Sequence, residues 1–281
     1  MANARKIIKK IGGSKRVSTR RSSSTRRKSR VMSRWKYFAI ATLVTIAVLA
    51  LAYYPILRPA FNRFTTCTGH KIYGACIPKG YSVYGIDISH HQGNIDWEKL
   101  KNGNPGDPPI AFVYIKATEG RDHIDTQFNR NWHEAQNNGF RRGAYHYFTA
   151  ESSGAEQAKM FISQVKLNRG DLPPMVDIEN EPKDADKYRH ELKQFITTLE
   201  SHYGVKPIIY TYKKFHDKYI DKELAGYPLW IARYNTAHPG IDKQWIMWQC
   251  TENGELPGIR EKVDINIFNG SMEELEKLRI K

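Results

Sequence analysis

The chain has 281 residues, 40% of them hydrophobic, and a formal net charge of +15. This hydrophobic content excludes a chain that is disordered over its whole length. The number of residues allows one large barrel or two smaller domains. The charge is concentrated at one end: residues 1–36 contain 14 Lys and Arg and no Asp or Glu, whereas the remainder has 30 basic and 29 acidic residues.

Residues 1–36 form a basic tail that includes the low-complexity run TRRSSSTRRKSR. Such a run buries too little apolar surface to fold, so we expect a disordered segment. No aromatic residue precedes Trp35, which argues against base stacking and therefore against nucleic acid as a partner. We expect the tail to contact anionic lipid head groups instead.

Residues 37–57, YFAIATLVTIAVLALAYYPIL, contain no charged side chain. A hydrocarbon core about 30 Å thick needs roughly 20 helical residues, so this stretch predicts a signal anchor that spans the cell membrane in contact with lipid. The preceding Lys and Arg residues predict a cytoplasmic N-terminus and an extracytoplasmic remainder, periplasmic or at the cell surface. A cleaved signal peptide is the alternative, because Ala50-Leu51-Ala52 has the small-x-small form of a cleavage site.

Residues 58–80 are predicted to be a linker that contains Cys67 and Cys76 with glycines between them. In an oxidising compartment these two thiols could close a small disulfide loop, which would leave Cys250 as a buried free thiol. The cysteine spacing is not typical of a metal site, and we expect neither a metal nor a cofactor.

Residues 81–281 alternate short apolar runs with amphipathic stretches, a pattern typical of β/α units around a parallel sheet. Eight runs rich in Val, Ile and aromatic residues predict strands. They are YSVYGIDIS, IAFVYIKA, GAYHYFTA, PPMVDIE, KPIIYTY, PLWIARY, QWIMWQC and VDINIF. Helices are predicted at residues 96–100, 126–138, 155–165 and 185–203, and at SMEELEKLR after a Ser cap. The pattern therefore predicts an α/β fold, an irregular β/α barrel.

The strand PPMVDIE carries two carboxylates, Asp177 and Glu179, two residues apart. Side chains alternate along a strand, so both carboxylates are expected on one face, with Val176 and Ile178 on the other. Two neighbouring carboxylates cannot both ionise freely, so one is expected to stay protonated near neutral pH. Glycosidic cleavage needs such an acid to protonate the leaving oxygen.

Other predicted strands also end in polar or aromatic side chains. In a parallel barrel these ends converge on one rim, where catalysis and binding take place. The candidates are Asp87, Lys116, Glu119, Tyr147, Tyr210, Trp230, Tyr234, Trp248, Gln249 and Asp264. Aromatic faces in such a cleft suit sugar rings, although each ring could equally pack in the core. His146 is interpreted as a hydrogen-bonded core histidine and not as a catalytic base.

These motifs, in this order, resemble family 25 glycoside hydrolases, which are muramidases, also called lysozymes. The resemblance covers roughly residues 81–270 and rests on YGIDISHHQGNIDW, FVYIKATEG, GAYHYF, PPMVDIE, PLWIARY and WIMWQC through VDINIF. It implies an irregular TIM-like (β/α)5(β)3 barrel and cleavage of the β-1,4 bond from N-acetylmuramic acid to N-acetylglucosamine in peptidoglycan glycan strands.

The resemblance also implies roles for individual residues. Glu179 matches the general acid/base, and Asp177, Asp87 and Asp264 match the other active-site carboxylates of a hydrolase that retains anomeric configuration. Whether an Asp or the substrate's own N-acetyl group attacks the anomeric carbon stays open. Arg233 in WIARY stands where the resemblance leads us to expect a second aromatic or a smaller polar residue.

Two alternatives remain. A chitinase-like hydrolase of N-acetylglucosamine polymers also places a D-x-E pair on a barrel strand, but its signature carries further aspartates upstream, where this chain has Leu172-Pro-Pro-Met175. A non-catalytic tether that binds peptidoglycan through the same cleft is the other alternative, and the four carboxylates count against it. We expect a monomer.

Overall fold

A computed structural model of the protein describes residues 35–49, 69–219, 224, 226–241 and 244–281. The chain divides into two units, residues 1–66 and 67–281. In the first, residues 35–49 form helix α1, whose apolar side chains are exposed. The predicted tail up to residue 34 and the second part of the predicted span, residues 50–57, lie outside the described residues. Within the described ranges, no helix has both the length and the apolarity needed to cross a bilayer.

The second unit contains a short hairpin and a closed barrel. The antiparallel hairpin pairs β1 (His70–Ile72) with β2 (Ala75–Ile77). The eight barrel strands are β3 (Val83–Ile88), β4 (Ile110–Glu119), β6 (Arg141–Tyr147), β7 (Met175–Asp177), β8 (Ile208–Tyr212), β9 (Leu229–Ala232), β10 (Met247–Gly254) and β11 (Val263–Phe268). The two-residue β5 (His123–Ile124) pairs with the end of β4. The barrel closes because β3 pairs with both β11 and β4.

Strand β11 runs antiparallel to both of its neighbours, β10 and β3, whereas β3 through β10 pair in parallel around the rest of the barrel. The predicted irregular eight-stranded barrel is therefore confirmed. The prediction that the carboxyl ends of all eight strands lie at one rim is wrong for β11, because β11 is antiparallel to its neighbours. Its first residues, and not its last, lie at the rim formed by the carboxyl ends of the other strands.

A 3-10 turn, His90–Gln92, follows β3, and among the described residues six helices follow or cap the barrel strands. They are α2 (Trp97–Asn102), α3 (Phe128–Asn137), α4 (Gly154–Gln164), α5 (Ala185–Tyr203), α6 (Lys213–Tyr219) and α7 (Met272–Leu278). Helix α5 begins where the Asp184 side chain accepts hydrogen bonds from two first-turn amides, and it ends at Gly204 with φ 69°. Ser271 and Glu274 form the predicted capping box of α7.

Side-chain alternation along the strands divides the core into two layers. On β7, Met175 packs in the barrel interior with Tyr114 and Trp230, whereas Val176 packs outward in the layer that includes Phe195 of α5. The interior is so full that a Cβ at Gly143 would lie 2.3 Å from the Tyr114 ring. The interior is therefore packed with side chains, and a polar site has room only at the rim.

One buried ion pair supports the end of the barrel opposite the site. Arg142 Nε donates to Asp171 Oδ1 at 2.8 Å, and Arg142 Nη1 donates to the Trp132 carbonyl at 2.6 Å. The guanidinium lies 3.9 Å from the centre of the Trp132 ring. Both charges are almost fully buried, so each depends on the other for solvation.

The cysteines differ in state. Cys76, on β2, is disulfide-bonded, and Cys250, on β10, is a buried free thiol. Cys67 lies outside the described residues. Burial raises the pKa of the Cys250 thiol to about 12, so the thiolate needed for reactivity does not form near neutral pH.

Candidate active site

Four carboxylates lie at the same end of the barrel. Asp87 and Asp264 are direct partners across β3 and β11, and Asp177, the last residue of β7, lies between Tyr147 of β6 and Tyr210 of β8. Glu179 follows two residues after Asp177, beyond the end of β7. Burial raises the pKa of Asp177 most, and the interactions with Glu179, Asp87 and Asp264 add to the rise, so the four groups form one electrostatic cluster.

Asp87 is held as an acceptor by two buried amides. Gln249 Nε2 donates to Asp87 Oδ2 at 2.9 Å, and Asn266 Nδ2 donates to the same oxygen at 2.7 Å. Burial raises the pKa of Asp87 to about 6, and the hydrogen bonds from Asn266 and Gln249 oppose that rise because they favour the ionised form.

The orientation of both amides is fixed by donors on their far sides. The Trp230 indole N–H donates to Asn266 Oδ1 at 3.1 Å, so the Asn266 NH2 group is the one that faces Asp87. Likewise, the hydroxyls of Tyr210 and Tyr234 donate to Gln249 Oε1, the former at 2.8 Å. Indole, phenol and amide groups therefore form two short chains that end at one carboxylate oxygen.

Asp264 is the more weakly acidic member of its pair. Burial, followed by the charges of Asp87, Glu252 and Glu179, raises the pKa of Asp264 to about 9. Since Asp87 receives two amide donors and Asp264 receives none of them, the pair holds one proton at neutral pH, and Asp264 carries it.

Asp177 is the most enclosed of the four carboxylates. Its side chain is 8% exposed, and among the described residues its Oδ1 has no hydrogen-bond partner. Burial, and then the charge of Glu179, raises the pKa of Asp177 well above its ordinary value. An unsatisfied acceptor buried at the rim is available to a ligand that brings its own donor.

Glu179 is partly buried and faces a cavity. Burial raises its pKa, the neighbouring Tyr210 side chain opposes the rise, and the charge of Asp87 adds to it. The cavity has a volume of about 390 Å³ and is lined by Glu179, Tyr212, Lys213, Lys214, Ala232, Arg233 and Tyr234. Glu179 is thus a carboxyl group with a raised pKa at an accessible position, as a general acid requires.

A second cavity, of about 610 Å³, lies on the other side of the segment that follows β7. Asn180 lines it, together with Glu119 and the β4–β5 turn. Lys116 Nζ donates to Glu119 Oε2 at 2.6 Å and lies 4.9 Å from the centre of the Tyr147 ring, while the Tyr147 hydroxyl donates to Asn180 Oδ1 at 3.3 Å. Lys116, Glu119 and Tyr147 therefore meet at the rim, as the sequence predicts.

Two aromatic candidates do not reach the cleft. Trp230 and Trp248 are fully buried, so neither can offer a ring face to a sugar. Trp230 points into the barrel interior, and the Trp248 indole packs in the outer layer and donates to the Arg233 carbonyl at 2.8 Å. Gln249 and Tyr210 are also almost fully buried and contact other site residues, so Tyr234 and Tyr147 are the candidate rings that keep exposed surface.

His146 is a core residue, as interpreted from the sequence. Its Nδ1 lies 2.7 Å from Thr118 Oγ1, its Nε2 lies 3.0 Å from Gln157 Oε1, and its ring stacks on Phe195. Burial lowers the pKa of His146 to about 4, so the ring is neutral at physiological pH.

Asn266 and Asn180 contribute to the site but escape sequence reasoning based on charged and aromatic residues. A signal for Asn266 exists: it lies two residues after Asp264 on β11, so alternation places both on the same face. Asn180 directly follows Glu179, but its role depends on the backbone path after β7, which the sequence pattern does not determine.

Comparisons with known proteins agree with this geometry. The profile of glycosyl hydrolases family 25 matches residues 86–259. Lysozyme M1 of Streptomyces globisporus is 33% identical over 211 residues, covering 69% of this chain and 70% of that protein. YegX of Escherichia coli (strain K12) is 37% identical over 208 residues, covering 73% of this chain and 76% of that protein.

Among solved structures, the bacterial lysozyme from Streptomyces coelicolor superposes with a TM-score of 0.65 and 32% identity, covering 70% of this chain and 97% of that one. The barrel, its acidic rim and these similarities lead to one conclusion: the chain belongs to glycosyl hydrolases family 25 and is a glycoside hydrolase.

Proposed function

We propose that this enzyme hydrolyses peptidoglycan by cleaving the β-1,4 bond between N-acetylmuramic acid and N-acetylglucosamine. The observation that carries the proposal is the convergence of Glu179, Asp177, Asp87 and Asp264 at one rim, where the pKa of each is raised. The similarity to Lysozyme M1 and to the Streptomyces coelicolor lysozyme supports the choice of substrate.

Glu179 acts as the general acid and then as the general base. Its raised pKa favours the protonated carboxyl, which is the form that can protonate the leaving glycosidic oxygen. Once ionised, the same group takes a proton from the water that completes hydrolysis. In each half-reaction the attacking group approaches the anomeric carbon on the face opposite to the bond that breaks. Each step inverts the anomeric configuration, so the two steps together retain it.

Two of the other carboxyl groups, Asp87 and Asp177, act on the positive charge that develops on the sugar ring. Asp87, ionised and held by Gln249 and Asn266, supplies a fixed negative charge. Asp177 has a buried, unsatisfied oxygen that accepts the N–H of the substrate's N-acetyl group and orients it for attack, or attacks the anomeric carbon itself. Tyr147 and Tyr234 offer partly exposed rings to the glycan.

The test measures new reducing ends released from purified peptidoglycan by the full-length chain and by Glu179→Gln. Removal of a general acid is expected to reduce the rate roughly 10²- to 10⁴-fold. Glu98→Gln is the matched control, because it makes the same chemical change at an exposed position on α2. If the wild type and Glu179→Gln both bind peptidoglycan and neither releases reducing ends, the protein is a tether and the proposal fails.

We further propose that residues 37–57 anchor the enzyme in the cell membrane as a single-pass monomer, with the basic tail in the cytoplasm and the barrel outside. The uncharged stretch and the Lys and Arg residues before it support this topology. Protease added outside intact cells is expected to digest the barrel and spare the tail. A digested tail with a protected barrel would reverse the orientation.

A further inference from the structure

The two cavities beside Glu179 differ in charge. The larger one, next to Asn180, is lined by Glu119, Asp122, Glu151 and Glu181, with Arg121 and His123 as its basic side chains. The smaller one, which contains Glu179 itself, is lined by Lys213, Lys214 and Arg233, and Glu179 is its only acidic residue. A substrate lying across the rim therefore meets an acidic wall on one side and a basic wall on the other.

The basic wall contains one positioned guanidinium. Arg233 is half-buried, and its Nη1 donates to the Pro239 carbonyl at 3.2 Å. Gly240 has φ 73°, and a Cβ there would lie 1.5 Å from Arg233 Nη1, so the glycine leaves the space that the guanidinium occupies. A guanidinium held in this way keeps further N–H donors for a planar anion.

The wall also contains one unneutralised ammonium. Lys213 Nζ is paired with Asp217 Oδ2 at 2.6 Å, but no acceptor in the described part of the chain pairs with the exposed Lys214. Three basic side chains against one carboxyl group therefore give the cavity an excess of positive charge beside the catalytic acid.

We propose that the cavity lined by Glu179, Lys213, Lys214 and Arg233 is a subsite for a carboxylate carried by the N-acetylmuramic acid residue of the substrate. This inference rests on the proposed function. The muramic ring whose bond is cleaved also carries the lactyl group, either free as a carboxylate or extended by a stem peptide with carboxylates of its own. This substituent must lie within about one sugar ring of Glu179, and charge complementarity places it on the basic side.

Binding is measured with a product, so that turnover does not interfere. Two disaccharides of N-acetylglucosamine and N-acetylmuramic acid are used, one with a stem peptide and one with only the lactyl group. Each is prepared with its carboxylates ionised and with its carboxylates converted to methylamides. The affinity of the full-length chain for all four ligands is measured by titration calorimetry at low and high salt.

We expect the ionised form of at least one disaccharide to bind roughly three- to tenfold more tightly than its amide, with the preference weakened by salt. A preference only with the peptide assigns the subsite to stem carboxylates, and a preference without the peptide assigns it to the lactyl carboxylate. Lys214→Glu is expected to abolish the preference. Lys101→Glu, the same charge change at an exposed position on α2, is expected to retain it.

The proposal is overturned if the protein binds ionised and amidated ligands equally, or if Lys214→Glu keeps the full preference. These outcomes are separate from failure of the proposed function, which appears as an absence of new reducing ends in the peptidoglycan assay and does not depend on carboxylate preference.

Discussion

Asp87 and Asp264 face each other as direct partners on the antiparallel strands β3 and β11. Directly opposed residues on neighbouring antiparallel strands have Cβ atoms about 5 Å apart, and like charges there are destabilising. The protein accommodates both carboxyls by giving the amide donors to Asp87 and leaving the proton on Asp264. The two residues therefore behave as an ionised acceptor and its neutral partner.

Replacement of Asp264 is expected to stabilise the fold at neutral pH. The pKa of Asp264 is raised from its ordinary value of 3.8 to about 9, so the folded state binds this proton more tightly than the unfolded state. That stabilisation is complete below pH 3.8 and is lost as pH rises toward 9. At pH 7 Asp264→Asn is expected to increase the free energy of unfolding by up to about 4 kcal/mol, while activity falls.

The measurement is urea denaturation of both proteins at several pH values between 4 and 9. The difference in unfolding free energy should grow with pH, because only the wild type retains the titrating carboxyl. A difference that stays constant or shrinks as pH rises would contradict the assignment of the proton to Asp264.

Removal of the donors to Asp87 is expected to shift the pH profile of activity. Asn266→Ala deletes one N–H that favours ionised Asp87, so the pKa of Asp87 should rise and the acidic limb of kcat/KM should move up by roughly one pH unit. Trp230→Phe keeps an aromatic ring but removes the indole N–H that orients Asn266, and it should move the limb in the same direction by less.

Asn253→Ala, at an exposed position on β10, is the control for this shift. An acidic limb that stays in place in both Asn266→Ala and Trp230→Phe, with only kcat reduced, would mean that Asp87 does not need to be ionised.

The Arg142–Asp171 pair is expected to dominate stability without affecting the site. Asp171→Ala leaves the buried guanidinium unpaired and should lower the free energy of unfolding by about 3 to 5 kcal/mol. Replacing Arg142 and Asp171 together with Met and Leu should recover most of the loss, since no buried charge remains. Denaturant titration checks both variants. A loss under about 1 kcal/mol for Asp171→Ala would show that water solvates the guanidinium.

Local sequence patterns predict much of this fold because strand and helix formation depends largely on residues that are close together in the sequence. The strand runs, the bounds of α5 and the capping box at Ser271 follow from apolar periodicity and capping chemistry. Alternation alone places Asp177 inward and Val176 outward. Helix α6 escapes prediction because its seven residues carry too short an apolar pattern.

Other features of the site depend on contacts that are distant in sequence. The direction of β11 is set by pairing with β3 and β10, about 180 and 15 residues away, so the sequence reveals the position of Asp264 but not the way it reaches the rim. Trp230 and Trp248 could face sugar or core equally well, and packing decides for the core. The amide network around Asp87 likewise requires five strands, β3 and β8 through β11, to be assembled first.

Identification of the sugar at the new reducing end is the most direct measurement of what this enzyme does. Purified peptidoglycan is digested with the full-length chain, the released ends are reduced with borohydride, and the reduced sugar is identified by mass spectrometry. Muramidase chemistry with Glu179 as the acid predicts reduced N-acetylmuramic acid, in an amount that falls with Glu179→Gln. Reduced N-acetylglucosamine, or equal release by the variant, would contradict it.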